Sequence, residues 1–325
     1  MSAVSAYQYM TLAEANKRAG YDDAEAVLGE IAKAIDVLDV MLWKPTTNGT
    51  YNKQFQASRL GTGSFSTANS AIPIISSKGD YIEEPVKLYE GESQVNDRVL
   101  KGTVDPISVR DSEDVMNLEG AFQDWAYNLF YGNEGSAPDN FRSLDRRRAS
   151  LGTYCIGNSG TGSDLTSVWT LEIAPAGFHL AYPANSGTPG FKNEDKGLQR
   201  VAAPDGTGDM YAWCRMFEIW AAIVMRNERS LIRYANIETT GSSNTFSIET
   251  YVKSVKNRLQ NTGRNAVCFM NRTLKGQLEA AAYGDVVNGS LTIKDIQGYG
   301  PMTYLAGIPI RMHEGITDAE TALTS

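Results

Sequence analysis

The chain has 325 residues, 42% hydrophobic and 21% charged, enough for two domains or one large elaborated one. Its net charge of −8 gives no basic field for nucleic-acid phosphate, which argues against a DNA-binding module. Cys155, Cys214 and Cys268 are far apart and lack CxxC spacing, so they read as small core residues of a reduced cytosolic chain. The start, MSAVSAYQYM, has neither the basic region nor the apolar run of a signal peptide. The most apolar run, Ile219 to Met225, is too short to span a membrane.

Thr11 and Glu14 form a capping box. A helix is predicted from Asp22 to Leu42, with Val27, Leu28, Ile31, Ile35, Leu38 and Met41 on one face and Pro45 just beyond its end. Residues 1–45 thus read as a helical arm whose apolar face packs on its own core or on a neighbouring subunit. Residues 46–79 are rich in Gly, Ser, Thr and Asn, and carry Tyr51, Phe55, Leu60 and Phe65 without a long apolar face. With the turn signal Asn48-Gly49, this predicts a long extended hairpin or loop that cannot bury itself. Such length is uncommon in a compact domain and usually functional; a plain surface insertion is the alternative. Asp80 to Val95 alternates as one long strand, with Pro85 marking an edge or bulge.

Val115, Leu118, Phe122, Trp125 and Leu129 make one apolar stripe, which predicts a helix over 112–131, capped by Asp111 or Ser112 and stopped at Gly132. At 1.5 Å per residue it would run roughly 30 Å. Arg146, Arg147 and Arg148 form a short basic run, read as a solvated loop or as a contact for an acidic neighbouring surface. Ser167 to Tyr182 reads as two strands hinged at Pro175 and Gly177, and Thr188 to Gly208 as loop. Met210 to Ile237 reads as strands around a turn near Asn227, with a helical stretch as the alternative. In the last third, Phe246–Leu259 and Thr273–Ala282 read as helices. Ala266–Met270 and Leu305–Met312 read as strands, the latter interrupted by Pro309. The fold class is α+β. Residues 80–240 hold the long helix and a β-rich middle, and 241–325 form a separate α/β layer.

The residues for chemistry are sparse. The two histidines, His179 and His313, sit in strand-like surroundings with no G-x-S-x-G elbow. No His or Cys cluster suits a metal. The glycines of 157–162 lack both the P-loop Lys-Ser/Thr and the G-x-G-x-x-G spacing. Glu83 and Glu84 would point to opposite faces of a strand, unlike an acid/base pair. No catalytic residue, cofactor or metal is assigned, and weight moves from enzyme to structural protein.

The order of parts, with particular wording, carries a resemblance. The wording includes Val40-Met41-Leu42-Trp43 before Asn48-Gly49-Thr50-Tyr51, and Tyr127-Asn128-Leu129-Phe130-Tyr131-Gly132-Asn133 closing the long helix. It continues with Phe141-Arg142-Ser143-Leu144, Ser167-Val168-Trp169 leading to Tyr182-Pro183, and Ile232-Arg233-Tyr234-Ala235-Asn236-Ile237. Phe269-Met270-Asn271-Arg272-Thr273 and Leu305-Ala306-Gly307-Ile308-Pro309-Ile310 complete it. From about residue 20 to 315 the chain resembles the major capsid proteins of tailed bacteriophages, which share the HK97-type fold. The resemblance implies an N-arm (1–45), an E-loop (46–79), a peripheral domain with the spine helix (80–240) and an axial domain (241–325).

It further implies self-assembly into pentamers and hexamers of an icosahedral head, enclosing double-stranded DNA without sequence-specific contact. No long charged coiled-coil segment precedes the arm, so scaffolding would come from a separate protein or a shorter device, and the portal would be a separate protein. Assembly would occur in the host cytoplasm, with no membrane. Tyr51, Lys53, Phe55, Leu60, Phe65, Arg146, Arg147 and Arg148 are the expected subunit contacts. Some members form lysine–asparagine crosslinks between subunits; Lys53 lies in the E-loop, but the sequence names no partner. Two alternatives stay open. One is an acid/base hydrolase with a deep pocket between the middle and last thirds. The other is a glycan-binding minor virion protein using exposed Trp169, Trp213 or Trp220.

Overall fold

The computed structural model describes residues 37, 40–185, 191–203, 206, 208–240, 244–259, 265–284, 291–296 and 300–324. Most of the predicted arm, including the Thr11 capping box, lies outside these residues. Its final turn does not: Val37 and Met41 are buried in the main core of their own subunit.

After β1 (Trp43–Pro45), strands β2 (Tyr51–Arg59) and β3 (Lys78–Pro85) pair only with each other as an antiparallel ribbon. The expected single strand over 80–95 is broken after Pro85. β4 (Lys87–Asn96) pairs with β9 instead of β2, as befits a residue with no N–H to continue the ladder.

A short helix, α1 (Asp97–Lys101), precedes the long α2 (Pro106–Tyr131). Helix α2 has 26 residues, so it spans about 39 Å. It starts six residues before the predicted boundary. The Asp105 carboxylate accepts from the N–H groups of Ile107 and Ser108, both at 3.2 Å, and Pro106 occupies the first turn. That early turn buries Val109 against Val95 and Leu100, away from the main core. The helix stops at Gly132 as expected. A Cβ there would meet the Asn128 carbonyl oxygen at 2.4 Å and the Asn140 side chain at 2.7 Å, so only glycine fits.

Beyond α3 (Leu144–Arg147) the strands are β5 (Cys155–Gly157), β6 (Leu165–Glu172), β7 (Phe178–Tyr182), β8 (Phe191–Ala202), β9 (Asp209–Met225) and β10 (Leu231–Glu238). The turn near Asn227 is a single 3-10 turn, Glu228–Ser230, and both flanks are strands. β8 corrects the loop expected over 188–208. Its sequence, FKNEDKGLQRVA, hides the strand because it pairs along one edge only and is mostly solvent-facing. β9 organises the first sheet. β4 lies on one edge, and β8 followed by β7 lies on the other. β1 adds in parallel to β7.

The last third supplies α4 (Ile248–Thr250) and, running on from it, a π turn (Tyr251–Val255) and a 3-10 turn (Lys256–Arg258). β11 (Ala266–Met270), α5 (Arg272–Gly284), β12 (Leu291–Ile296), β13 (Gly300–Leu305) and β14 (Ile308–Met312) follow. The expected single strand over 305–312 is instead a hairpin, β13–β14, turned by Ala306 and Gly307, both at positive φ. The seven-stranded second sheet has the order β12-β13-β14-β11-β6-β10-β5. A boundary at residue 240 therefore cuts one continuous sheet, and the last third is not a separate layer.

β6 is buried along its whole length and joins two cores. Trp169 and Leu171 face the core shared with Phe122, Trp125, Leu129 and Phe130 of α2. Val168 faces the other core, with Tyr251, Val255, Leu274 and Leu278. Alternation along one strand thus welds the long helix to the second sheet.

Candidate functional site

Among the described residues, the β2–β3 ribbon and the loop beyond it form a long stretch whose outer side the subunit's own fold leaves uncovered. At its root, Gly49 adopts φ +67°, the left-handed conformation that the Asn48-Gly49 turn requires. The N–H of Val86 donates to the Thr50 carbonyl at 2.8 Å and closes the base.

Strand alternation gives the ribbon two unlike faces. The inward face carries Asn52, Gln54 and Glu84, which are 4%, 6% and 8% exposed. It is held by polar contacts: Gln54 Nε2 donates to the Met225 carbonyl at 3.0 Å, and both Glu84 oxygens accept from Arg147, each at 2.8 Å. The outward face carries Phe55 and Tyr81, 61% and 65% exposed, whose rings meet edge-on at 5.4 Å. Beside them Lys53 Nζ lies 2.7 Å from Glu83 and 4.9 Å from the Tyr81 ring centroid. The hydrogen bond and charge of Glu83 raise the Lys53 pKa. This is the reverse of the usual arrangement, in which a ribbon turns its apolar side to the core.

Past Arg59 the chain runs to Ser77 without helix or strand, and all of residues 59–77 are exposed. Leu60, Phe65, Ile72, Ile74 and Ile75 stand in solvent. Arg59 and Lys78 are the only charged residues between 59 and 78. Leu60 and Phe65 are among the expected contacts; Ile72, Ile74 and Ile75 join them only in the structure. The run Ile72-Pro73-Ile74-Ile75, apolar within a polar segment, was the available signal.

The arginine triplet splits. Arg146 is exposed. Arg147 and Arg148 fit neither a solvated loop nor a contact for an acidic neighbouring surface, because they turn inward, their side chains 5% and 9% exposed. Arg147 also donates to the carbonyls of Arg142 and Ile223, and Arg148 to those of Leu231 and Glu228. These guanidinium groups supply hydrogen-bond donors to backbone carbonyls in β9, at the start of β10 and at the Glu228 turn.

Features that would serve other functions lie elsewhere. Trp169 is fully buried, Trp213 donates to Asp97 at 3.2 Å, and Trp220 donates to Glu218 at 3.2 Å; the last two are half-buried. None offers the open ring that glycan stacking needs. His179 and His313 are buried, and burial lowers each pKa to about 4. A depression of about 250 Å³ lies beside α2, between Tyr89, Asp124, Asn128 and Phe141, not between the middle and last thirds. Among the described residues, no group of three or more His, Cys, Asp or Glu is placed to hold a metal, and no helix is long and apolar enough to cross a membrane. All three cysteines are buried and free.

Comparison with known proteins adds the following. The family model for major capsid protein GP7 matches residues 21–324. A chain of the near-atomic structure of bacteriophage Epsilon15 superposes with a TM-score of 0.64 at 19% identity, covering 88% of each chain. A chain of the bacteriophage JBD30 capsid gives a TM-score of 0.47 at 12% identity, covering 86% of this chain and 89% of that one. No curated protein sequence matches.

Proposed function

Because this chain belongs to the major capsid protein GP7 family and has the HK97-type fold, we propose that it closes its shell by laying the ribbon and loop over residues 51–85 across a neighbouring copy. The observation that carries the proposal is the ribbon's inverted polarity, with polar contacts inward and Phe55 and Tyr81 outward. An outer face bearing Phe55 and Tyr81, with five large apolar side chains beyond it, is the kind of exposed apolar surface that marks a contact with another protein. Burying each such side chain contributes about 1.5–3 kcal/mol, so the five give on the order of 10 kcal/mol per copy before the loop's ordering is subtracted.

One copy donates the loop and the next receives it. That contact is heterologous and closes only in rings. Pentamers and hexamers are the ring sizes we assign, with Tyr51, Lys53, Phe55, Leu60, Phe65 and exposed Arg146 among the contacts. Scaffolding and portal functions belong to separate proteins in this reading, and assembly takes place in the host cytoplasm. With a net charge of −8, the shell contains double-stranded DNA without gripping its sequence.

The test is negative-stain electron microscopy with light scattering on protein expressed with and without a candidate scaffolding protein. Closed shells, or rings of five and six, are the expected result. A monomer in both settings would sink the proposal.

A further inference from the structure

The segment from His313 to Thr324 contains no helix and no named strand, yet it is pinned along its length. Ile316 is buried in the main core. Thr273 Oγ1 donates to Asp318 at 2.9 Å, and the Glu320 N–H donates to the Leu165 carbonyl at 2.8 Å. Leu323 exchanges two hydrogen bonds with the Asn236 side chain, of 2.9 and 3.0 Å, and the Thr324 carbonyl accepts from Leu151 at 3.1 Å.

Glu320 is the centre of this seam. Its carboxylate accepts from Tyr131 Oη at 2.6 Å, from Arg233 at 3.0 Å and from the Ser167 hydroxyl. Those partners are the last residue of α2, a strand of the second sheet and its neighbour. Arg233 is 1% exposed, stacks over Trp169 at 4.6 Å and donates to Asp145 of α3 at 2.6 Å. Two residues further along α3, Arg147 holds Glu84 in the ribbon root. Two sets of ion pairs, Glu320–Arg233–Asp145 and Arg147–Glu84, are therefore joined through the short backbone of α3, which links Glu320 to the base of the projecting ribbon. Within the buried set, a shift of Glu320 would leave Arg233 without one of its charge partners, which disfavours any arrangement but this one.

We infer that Glu320 is a positioning residue for assembly: by holding α2, α3 and the second sheet in one arrangement, it sets the direction in which the ribbon leaves the subunit, and so the curvature of the shell. This rests on the proposed role of the ribbon as the contact between copies.

The test compares particles formed by the full-length wild type with those of Glu320→Gln and Glu320→Ala, by electron microscopy and light scattering. Val255→Ala, in the other core, is the control for lost stability alone. The expected result is loss of the single wild-type diameter in the Glu320 variants: a broad or shifted distribution, or folded subunits that close no shell. Val255→Ala should melt at a lower temperature but keep the wild-type diameter. Wild-type diameters in both Glu320 variants would overturn the inference, as would failure of both to fold. If the wild type itself forms no shells, it is the underlying assembly reading that fails.

Discussion

Arg147 holds Glu84 through two parallel hydrogen bonds of 2.8 Å each, the geometry in which a guanidinium and a carboxylate fit best. The side chains are 5% and 11% exposed, so the pair is sheltered from water and salt. It joins a short helix to the base of a ribbon whose remaining surface is largely free. A polar clamp at the root with an apolar face beyond it gives a projecting element that is oriented by its own subunit and completed by another.

Breaking the clamp from one side leaves a charge buried without its partner. Arg147→Ala is expected to destabilise the subunit by roughly 3–5 kcal/mol, measured by urea unfolding. Arg147→Lys keeps the charge but loses the fork, and should fall between the two. Limited proteolysis should then cut the ribbon root faster in the alanine variant than in wild type.

The long helix has a buried face and an exposed one. Leu129 is fully buried where α2 meets the second sheet, whereas Met116 is 47% exposed on the same helix. Leu129→Ala should cost about 2–5 kcal/mol, and Met116→Ala should stay within about 0.5 kcal/mol. Equal losses at the two positions would mean that the helix does not lie on the sheet in this orientation.

Stability should fall with acid in a defined window. Burial lowers the His179 and His313 pKa values from 6.5 to about 4, so the unfolded chain takes up a proton where the folded one does not. The contribution is present above pH 6.5 and is lost as pH falls towards about 4. His313 stacks on Phe130 at 5.2 Å, and among the described residues neither ring nitrogen has a hydrogen-bond partner. His313→Leu should therefore flatten the slope of unfolding free energy against pH between about 4 and 6.5, whatever it does to stability at pH 7. An unchanged slope would contradict the burial argument.

The sequence was legible where pattern and burial agree. The α2 stripe, the β9 and β10 strands around Asn227, β11 and α5 all present apolar residues at the period of their element. The uncovered hairpin was legible for the opposite reason, because it lacks a long apolar face of its own to bury and still carries aromatics. What escaped was set by tertiary pairing. β8 is polar because only β9 needs it. The first turn of α2 carries its signal in Asp105-Pro106 rather than in the stripe. The continuity of the second sheet across residue 240 depends on β6 pairing with both β10 and β11, strands far apart in the chain. At the site, the pairing of Arg147 with Glu84 spans 63 positions, and no local pattern announces it.

Phe65 and Ile74 are fully exposed in the isolated subunit, so charge there has little to disturb within the fold. The most direct test of the assembly account compares Phe65→Asp with Ile74→Asp combined against wild type, reading melting temperature and particle formation on the same samples. The account expects an unchanged melting temperature, closed shells from the wild type, and only free subunits from the variant. A variant that forms shells as readily as wild type would contradict it.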